Sequence, residues 1–179
     1  MQKYGLALLL TIPVFSFAET VHYASASITS QDSTMGYGIG YTAVINGKYA
    51  VGLSHSDTTK DDISATVGGL RYGFQSFETG TVYFGLGIAD VSGASETVSA
   101  GLYDIEVDSS DTSGYAEIGY AKLSGEGMDY SFSLVTMDGE TSVSASMRQP
   151  IEGSDWGWQL GLGTDGDEAA VSAGVSLTF

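Results

Sequence analysis

The C-terminal stretch from Ala169 to Phe179 alternates strictly in polarity, and this alternation limits what the chain can fold into. Every second residue is apolar, from Ala169 through Val171 and Val175 to Phe179, and the residues between them are small or weakly polar. A period of two indicates an extended strand with one apolar face, not an amphipathic helix. We therefore predict that the chain ends in a β-strand with two chemically different faces.

The same alternation recurs along the chain between turn signals. The clearest case is MGYGIGYTAVI, residues 35–45, which is followed by Asn46-Gly47, a pair typical of tight hairpin turns. Counting such segments predicts about ten antiparallel strands. The compact turns fall at the same end of the strands as the N-terminus, and the longest connection, residues 93–112, falls at the other end. Eight strands is the alternative, if one short hairpin stays apart from the rest.

A last strand that ends in Phe179 resembles the C-terminal strand of bacterial outer-membrane β-barrels. The resemblance implies an all-β fold, a closed antiparallel transmembrane β-barrel similar to small OmpA-like or OmpX-like barrels or to ten-stranded ones. It also implies a place in the Gram-negative cell envelope, as an integral protein of the outer membrane. In that case the N-terminus and the compact turns lie on the periplasmic side, and an eight-stranded barrel would leave one short hairpin outside the membrane. The expected partners are outer-membrane lipid, lipopolysaccharide and the barrel assembly machinery, which would read the C-terminal strand.

The first 18 residues have the pattern of a secretory signal peptide. Lys3 precedes an apolar run from Leu6 to Val14, and Ser16-Phe17-Ala18 offers small residues for cleavage after Ala18. The run is too short to span about 30 Å of hydrocarbon. We therefore predict a signal peptide over residues 1–18 and a transmembrane barrel over residues 19–179.

The charge balance is strongly acidic, with 22 Asp and Glu against 6 Lys and Arg and a net charge of −16. Nucleic acid is not expected as a partner, because phosphate binding needs a basic surface. The acidic residues gather in the predicted extracellular loops, as Asp57, Asp61 and Asp62, then residues 104–111, then residues 165–168. We predict no cofactor, but these loops could bind divalent cations weakly or meet a protein partner.

Three local features are interpreted from the apolar pattern. In the fourth strand Ile63, Ala65 and Val67 are assigned to the lipid face. Leu70 and Tyr72 are assigned to the same face, and the change from odd to even positions requires a β-bulge at Gly68-Gly69. The facing of the first strand stays open, since either Tyr23 or Ile28 could point outward. The segment AGLYDIEV, residues 100–107, is expected to extend its flanking hairpin beyond the membrane.

Four charged residues fall on the predicted inward face: Arg71, Glu117, Asp129 and Arg148. Two positive and two negative side chains predict a lumen charge network, because buried charges are costly unless they pair. The structural interpretation is an internal salt-bridge network. The alternative is that these residues line or gate a narrow aqueous passage.

Aromatic residues gather near the predicted periplasmic ends of successive strands, where amphipathic rings are favoured at a membrane interface. Tyr37 and Tyr115 are assigned to a sparser outer rim. The predicted girdle consists of Tyr49, Phe74, Phe84, Tyr120, Tyr130, Trp156, Trp158 and Phe179.

Signals for catalysis are weak, and no catalytic residue or metal ligand is assigned. His55 stands beside Ser54 and Ser56, but neighbouring residues of a strand point to opposite faces, so they cannot easily act together. The leading functional prediction is a non-enzymatic structural or surface-exposed barrel with acidic extracellular loops. The alternatives are a narrow, porin-like passive pore for small solutes or cations and, from another class, a lipid-modifying enzyme of the outer membrane.

Overall fold

A computed structural model describes residues 20–31, 34–59, 63–93, 96–100, 103–107, 111–123, 127–166 and 169–179. The predicted signal peptide lies outside these residues. None of the described residues belongs to a helix long and apolar enough to cross a membrane. The strands are Thr20–Gln31 (β1), Thr34–Ile45 (β2), Tyr49–Thr58 (β3), Ser64–Phe77 (β4), Gly80–Ser92 (β5), Glu96–Ala100 (β6), Tyr103–Val107 (β7), Asp111–Lys122 (β8), Asp129–Met137 (β9), Glu140–Pro150 (β10), Trp156–Thr164 (β11) and Ala169–Thr178 (β12).

Ten of these strands form one closed antiparallel barrel in the order β1-β12-β11-β10-β9-β8-β5-β4-β3-β2. This confirms the prediction of about ten strands and shows that the eight-strand alternative was wrong. The ring closes between β1 and β12, and beyond that ladder His22 and Phe179 exchange two backbone hydrogen bonds of 3.0 and 3.1 Å. Closure leaves no strand edge unpaired, which is what a sheet needs in order to cross hydrocarbon.

Both described ends of the chain, Thr20 and Phe179, lie at one end of the barrel, here called the terminal end. The connection between β5 and β8 lies at the other end, here called the loop end. Asn46 and Gly47 form the turn between β2 and β3 at the terminal end, with φ values of 53° and 61°. Both residues of this hairpin need a positive φ, which explains why Asn-Gly predicted the turn correctly.

Apolar side chains cover the outer surface and the small or polar ones face the lumen. Leu70, Ile88 and Leu162 are each about six-tenths exposed on the outside of the barrel. The open question about β1 is answered by burial, because Ile28 is 57% exposed while Tyr23 is only 8% exposed. Even-numbered residues of β1 therefore face outward, and Tyr23 points into the lumen.

The interpretation of the fourth strand was wrong. The register of β4 with β3 and β5 is regular through Gly68 and Gly69, and the irregularity lies between Gly73 and Gln75. Ile63, Ala65 and Val67 therefore face inward, with exposures of 5% or less. They pack at the loop end in a cluster with Ala89 and Val91, against Tyr115 and Met137. Apolar character alone misassigned them, because part of the lumen wall is itself apolar.

The hairpin of β6 and β7 also differs from the expectation. These two strands pair only with each other, as a separate sheet, and do not lengthen β5 and β8. The chain of β6 approaches β3 and β4, whereas the chain of β7 approaches β10 and β11. Since β3 and β4 stand opposite β10 and β11 in the ring, the hairpin lies across the lumen at its loop end.

Tyr115 faces the lumen, so its assignment to an outer aromatic rim was also wrong. Its ring lies against Gly69 of β4 and Gly87 of β5, and a Cβ added at Gly87 would meet the Tyr115 ring and the backbone oxygen of Gly68. On the same side of the barrel, a Cβ added at Gly119 would meet the Tyr83 hydroxyl at 2.5 Å. The glycines here make room for the tyrosine rings that fill this side of the lumen.

We therefore expect Gly87→Ala to destabilise the barrel by about 1–3 kcal/mol, because the new methyl group must displace both the Tyr115 ring and a backbone carbonyl. Gly114→Ala is the matched control, since a Cβ there would find only the Gly87 oxygen, at 4.0 Å. The measurement is the temperature at which the folded gel band of each detergent-solubilised protein converts to the unfolded band. Equal midpoints for the two variants would contradict the tyrosine–glycine packing.

Candidate functional site in the barrel lumen

A cavity of about 290 Å³ occupies the lumen. One side of it is an arc of consecutive barrel strands, β9-β10-β11-β12-β1, whose inward positions include serines on every strand except β11, where glycine predominates. We call six of these residues the hydroxyl wall: Ser25, Ser27, Ser131, Ser133, Ser144 and Ser146. Across β9 and β10 their hydroxyls pair directly, Ser131 with Ser146 and Ser133 with Ser144, each at 2.7 Å.

The opposite side, formed by β4, β5 and β8, holds the first pair of charges. Arg71 donates from Nε to one Glu117 oxygen at 2.8 Å and from Nη2 to the other at 3.0 Å. Tyr83 donates its hydroxyl to the same carboxylate at 2.7 Å. The Glu117 side chain is fully buried while that of Arg71 is 29% exposed. Such a two-pronged contact fixes both side chains and compensates the buried carboxylate.

The second pair of charges lies nearer the terminal end. Arg148 Nη1 stands 3.8 Å from the Asp129 carboxylate, and both side chains are almost fully buried. Arg148 also donates from Nε to Ser176 at 2.7 Å and from Nη2 to the Asp155 backbone oxygen at 3.4 Å. The Tyr23 hydroxyl donates to Asp129 at 3.1 Å, and the Arg148 guanidinium lies over the Tyr23 ring, 5.7 Å from its centroid.

The structure thus brings Arg71 to Glu117 and Arg148 to Asp129, all four on the inward face. Sequence reasoning missed the side chains that support them, namely Tyr23, Tyr83 and Ser176. A signal was available for Tyr83 and Ser176, because both share the parity of the inward residues on their strands, whereas the facing of β1 was open and Tyr23 could not be placed. Tyrosine between apolar neighbours, as in Val82-Tyr83-Phe84, was nevertheless easy to read as part of a lipid-facing run.

The aromatic residues of the predicted girdle lie on the outer face, towards the terminal end. Trp156, Trp158 and Phe179 are exposed, while Tyr120 and Tyr130 are half-buried, with ring centroids 6.2 Å apart. Tyr130 donates to the backbone oxygen of Thr79 at 2.6 Å, and Tyr120 is 2.6 Å from the Thr79 hydroxyl. The remaining members, Tyr49, Phe74 and Phe84, are also exposed.

His55 lies on the outer face near the loop end, and its side chain is 45% exposed. Its Nδ1 is 2.9 Å from the Thr66 hydroxyl, and its Nε2 is 3.5 Å from the Asp57 carboxylate. Ser54 and Ser56 instead line the lumen cavity, on the other side of the barrel wall. Neither serine can therefore be activated by His55.

In the described part of the chain, no group of three or more His, Asp or Glu side chains is arranged to hold a metal ion. The hypothesis of cation-binding loops falls mostly outside that part. Asp61, Asp62, Asp108, Asp167 and Glu168 lie outside the described residues, and the structure does not describe the side chains of Asp104, Glu106 and Asp111.

Comparison with known proteins finds likeness of structure but not of sequence. No protein-family model and no curated protein matches the chain. Among solved structures, the KdgM porin aligns at a TM-score of 0.50 and 8% identity, over 88% of this chain and 99% of that one. A de novo designed transmembrane β-barrel aligns at 0.45 and 7%, over 89% and 95%. Neisserial surface protein A aligns at 0.32 and 14%, over 89% and 97%.

We expect Arg71→Met to destabilise the barrel by about 3–5 kcal/mol, because it leaves the Glu117 carboxylate buried without a counter-charge. The double variant Arg71→Met/Glu117→Leu should recover most of that loss, since it removes the second charge as well. Unfolding in urea with lipid vesicles or detergent micelles present would measure both changes. A double variant no more stable than the single one would show that the pair is not energetically coupled.

Proposed function

The chain has the fold of the outer-membrane β-barrels, and we propose that it serves as a narrow, non-enzymatic passive pore for small polar solutes in the bacterial outer membrane. The observation that carries the proposal is the 290 Å³ lumen cavity with its hydroxyl wall. Serine hydroxyls that border open space can hydrogen-bond to a polar solute that passes them. The terminal end would then face the periplasm, and the loop end the medium.

The arrangement of the lumen charges supports passage. Arg71 is held against Glu117 on one side, and Arg148 is held by Asp129, Ser176 and the Asp155 backbone near the terminal end. Neither guanidinium needs an ion or a solute to compensate its charge. The cavity can therefore exchange water for solute without breaking an ion pair. The fold is one that a protein described as a porin also has.

A structural, surface-exposed barrel is the second candidate. The hairpin of β6 and β7 favours it, because this hairpin lies across the lumen at the loop end. The strongly acidic composition, with its charges gathered in the loops, would then present a negative surface to the medium or to a protein partner. In this case the lumen would hold water but would not exchange solutes.

The proposal extends to the surroundings of the barrel. The outward apolar band, which includes Leu70, Ile88 and Leu162, suits contact with membrane lipid. Lipopolysaccharide would surround the loop end, and the barrel assembly machinery would read β12.

Swelling of liposomes in an isotonic glycerol solution separates the two candidates. We expect liposomes containing the refolded protein to swell at least about tenfold faster than protein-free liposomes, because a hydrated lumen bypasses the hydrocarbon barrier. A swelling rate equal to that of protein-free liposomes, with folding confirmed by heat-modifiable migration on a gel, would reject the pore in favour of the structural barrel.

Replacing residues 96–107 with a flexible Gly-Ser linker should raise the swelling rate several-fold, because it removes the hairpin from the loop end of the lumen. A Gly-Ser replacement of residues 152–154, an exposed turn at the terminal end, is the matched control and should leave the rate unchanged. If the hairpin replacement leaves the rate unchanged, the hairpin does not restrict entry.

A further inference from the structure

We propose that the lumen admits neutral polyhydroxylated solutes, such as short-chain polyols, and discriminates against ions of the same size. This inference rests on the proposed pore function and names the solute class. It is argued from the chemistry of the hydroxyl wall, from the state of the lumen charges and from the size of the cavity.

A serine hydroxyl can both donate and accept a hydrogen bond. It can therefore replace a water molecule that donates to a solute hydroxyl, and also one that accepts a hydrogen bond from it. In the hydroxyl wall these groups already form two matched pairs, Ser131 with Ser146 and Ser133 with Ser144. A polyol likewise carries neighbouring hydroxyl groups. A polyol that enters the cavity can therefore exchange hydrogen bonds with water for hydrogen bonds with the wall at little net cost.

An ion has no comparable compensation in this cavity. Among the residues that the structure describes, the charged side chains lining the cavity are those of Arg71, Asp129 and Arg148, and Glu117 is buried beside Arg71. These two positive and two negative charges compensate each other. An entering anion or cation would lose part of its hydration shell, at a cost of several kcal/mol, without gaining a counter-charge.

The cavity is large enough for a small polyol. Its volume of about 290 Å³ is many times the roughly 10–15 Å³ that a cavity needs to hold one water molecule. Glycerol, erythritol and xylitol are compact members of the proposed solute class.

The test compares three solutes with one carbon skeleton: xylitol, xylonate and the matching amino-polyol in its protonated form. Uptake of each radiolabelled solute into liposomes containing the full barrel is measured at a fixed salt concentration. We expect xylitol to enter at least about tenfold faster than either charged analogue, as the ion desolvation cost requires. Similar rates for all three would overturn the solute class and leave the pore standing. No uptake of any solute would reject the pore itself.

Two pairs of substitutions on β9 and β10 test the hydroxyl wall. Ser131→Ala/Ser146→Ala removes an inward, partly exposed hydroxyl pair and should slow xylitol about three- to tenfold, the value of a lost hydrogen bond in the passage. Thr136→Val/Thr141→Val is the matched control, because it removes an exposed hydroxyl pair on the same two strands, with oxygens 3.2 Å apart, and should change nothing. A lumen that acts only as a sieve would give the opposite sign, since smaller side chains widen it. Faster xylitol entry in the serine variant would therefore overturn the proposal.

Glu117→Gln tests the compensation of charge. It leaves the positive charge of Arg71 without its partner. The entry rate of xylonate should therefore rise at least about threefold, while the entry rate of the amino-polyol should not increase. The double variant Arg71→Gln/Glu117→Gln should return xylonate to its original rate, which also covers the case in which the single variant folds poorly. An unchanged xylonate rate in folded Glu117→Gln barrels would show that Arg71 does not set ion exclusion.

Discussion

The pairing of backbone hydrogen bonds around a closed ring is the interaction on which the rest of this structure depends. In hydrocarbon an unpaired N–H or C=O group costs several kcal/mol, so a sheet can cross a membrane only if its first and last strands meet. Here β1 and β12 pair from Tyr23↔Thr178 to Gln31↔Ala170, and His22 and Phe179 add two more hydrogen bonds beyond that ladder. The stacked rings of His22 and Phe179, with centroids 5.4 Å apart, stand over the same joint.

Closure of the barrel also decides where polar side chains can lie. Since the outward positions of a membrane-crossing strand must be apolar, polar groups within the membrane have to point inward. In this chain the inward positions include two positive and two negative side chains, and each positive one lies beside a negative one. Glu117, for example, accepts hydrogen bonds from both Arg71 and Tyr83. Smaller inward residues leave a cavity beside them. Stability and the proposed permeability therefore both depend on the same inward face.

Local patterns predicted most of the fold. Strand number followed from the period of two, and the β2–β3 turn from Asn46-Gly47, because both signals depend only on neighbouring residues. The inward position of the four lumen charges also followed from alternation. Their partners did not, since the contact of Arg71 with Glu117 joins strands far apart in sequence.

The errors have a common physical origin. Ile63, Ala65 and Val67 were assigned to lipid because apolar residues usually face lipid in such barrels, but here they belong to a buried cluster inside the ring. Tyr115 was assigned to the rim for the same reason. The crossing of the lumen by β6 and β7 depends on contacts with β3, β4, β10 and β11. No short stretch of sequence contains that information.

The two sides of the lumen differ in a way that bears on how such a chain can change. Tyrosine rings seated on glycines fill the side made by β4, β5 and β8, whereas serine hydroxyls border open space on the arc from β9 to β1. A substitution on the tight side has to be accommodated by neighbouring backbone, while one at a partly exposed serine such as Ser25 or Ser146 mainly alters the cavity surface. Under the proposed pore function, new solute preferences could therefore arise by exchanging such serines, with little effect on the mechanical integrity of the opposite side.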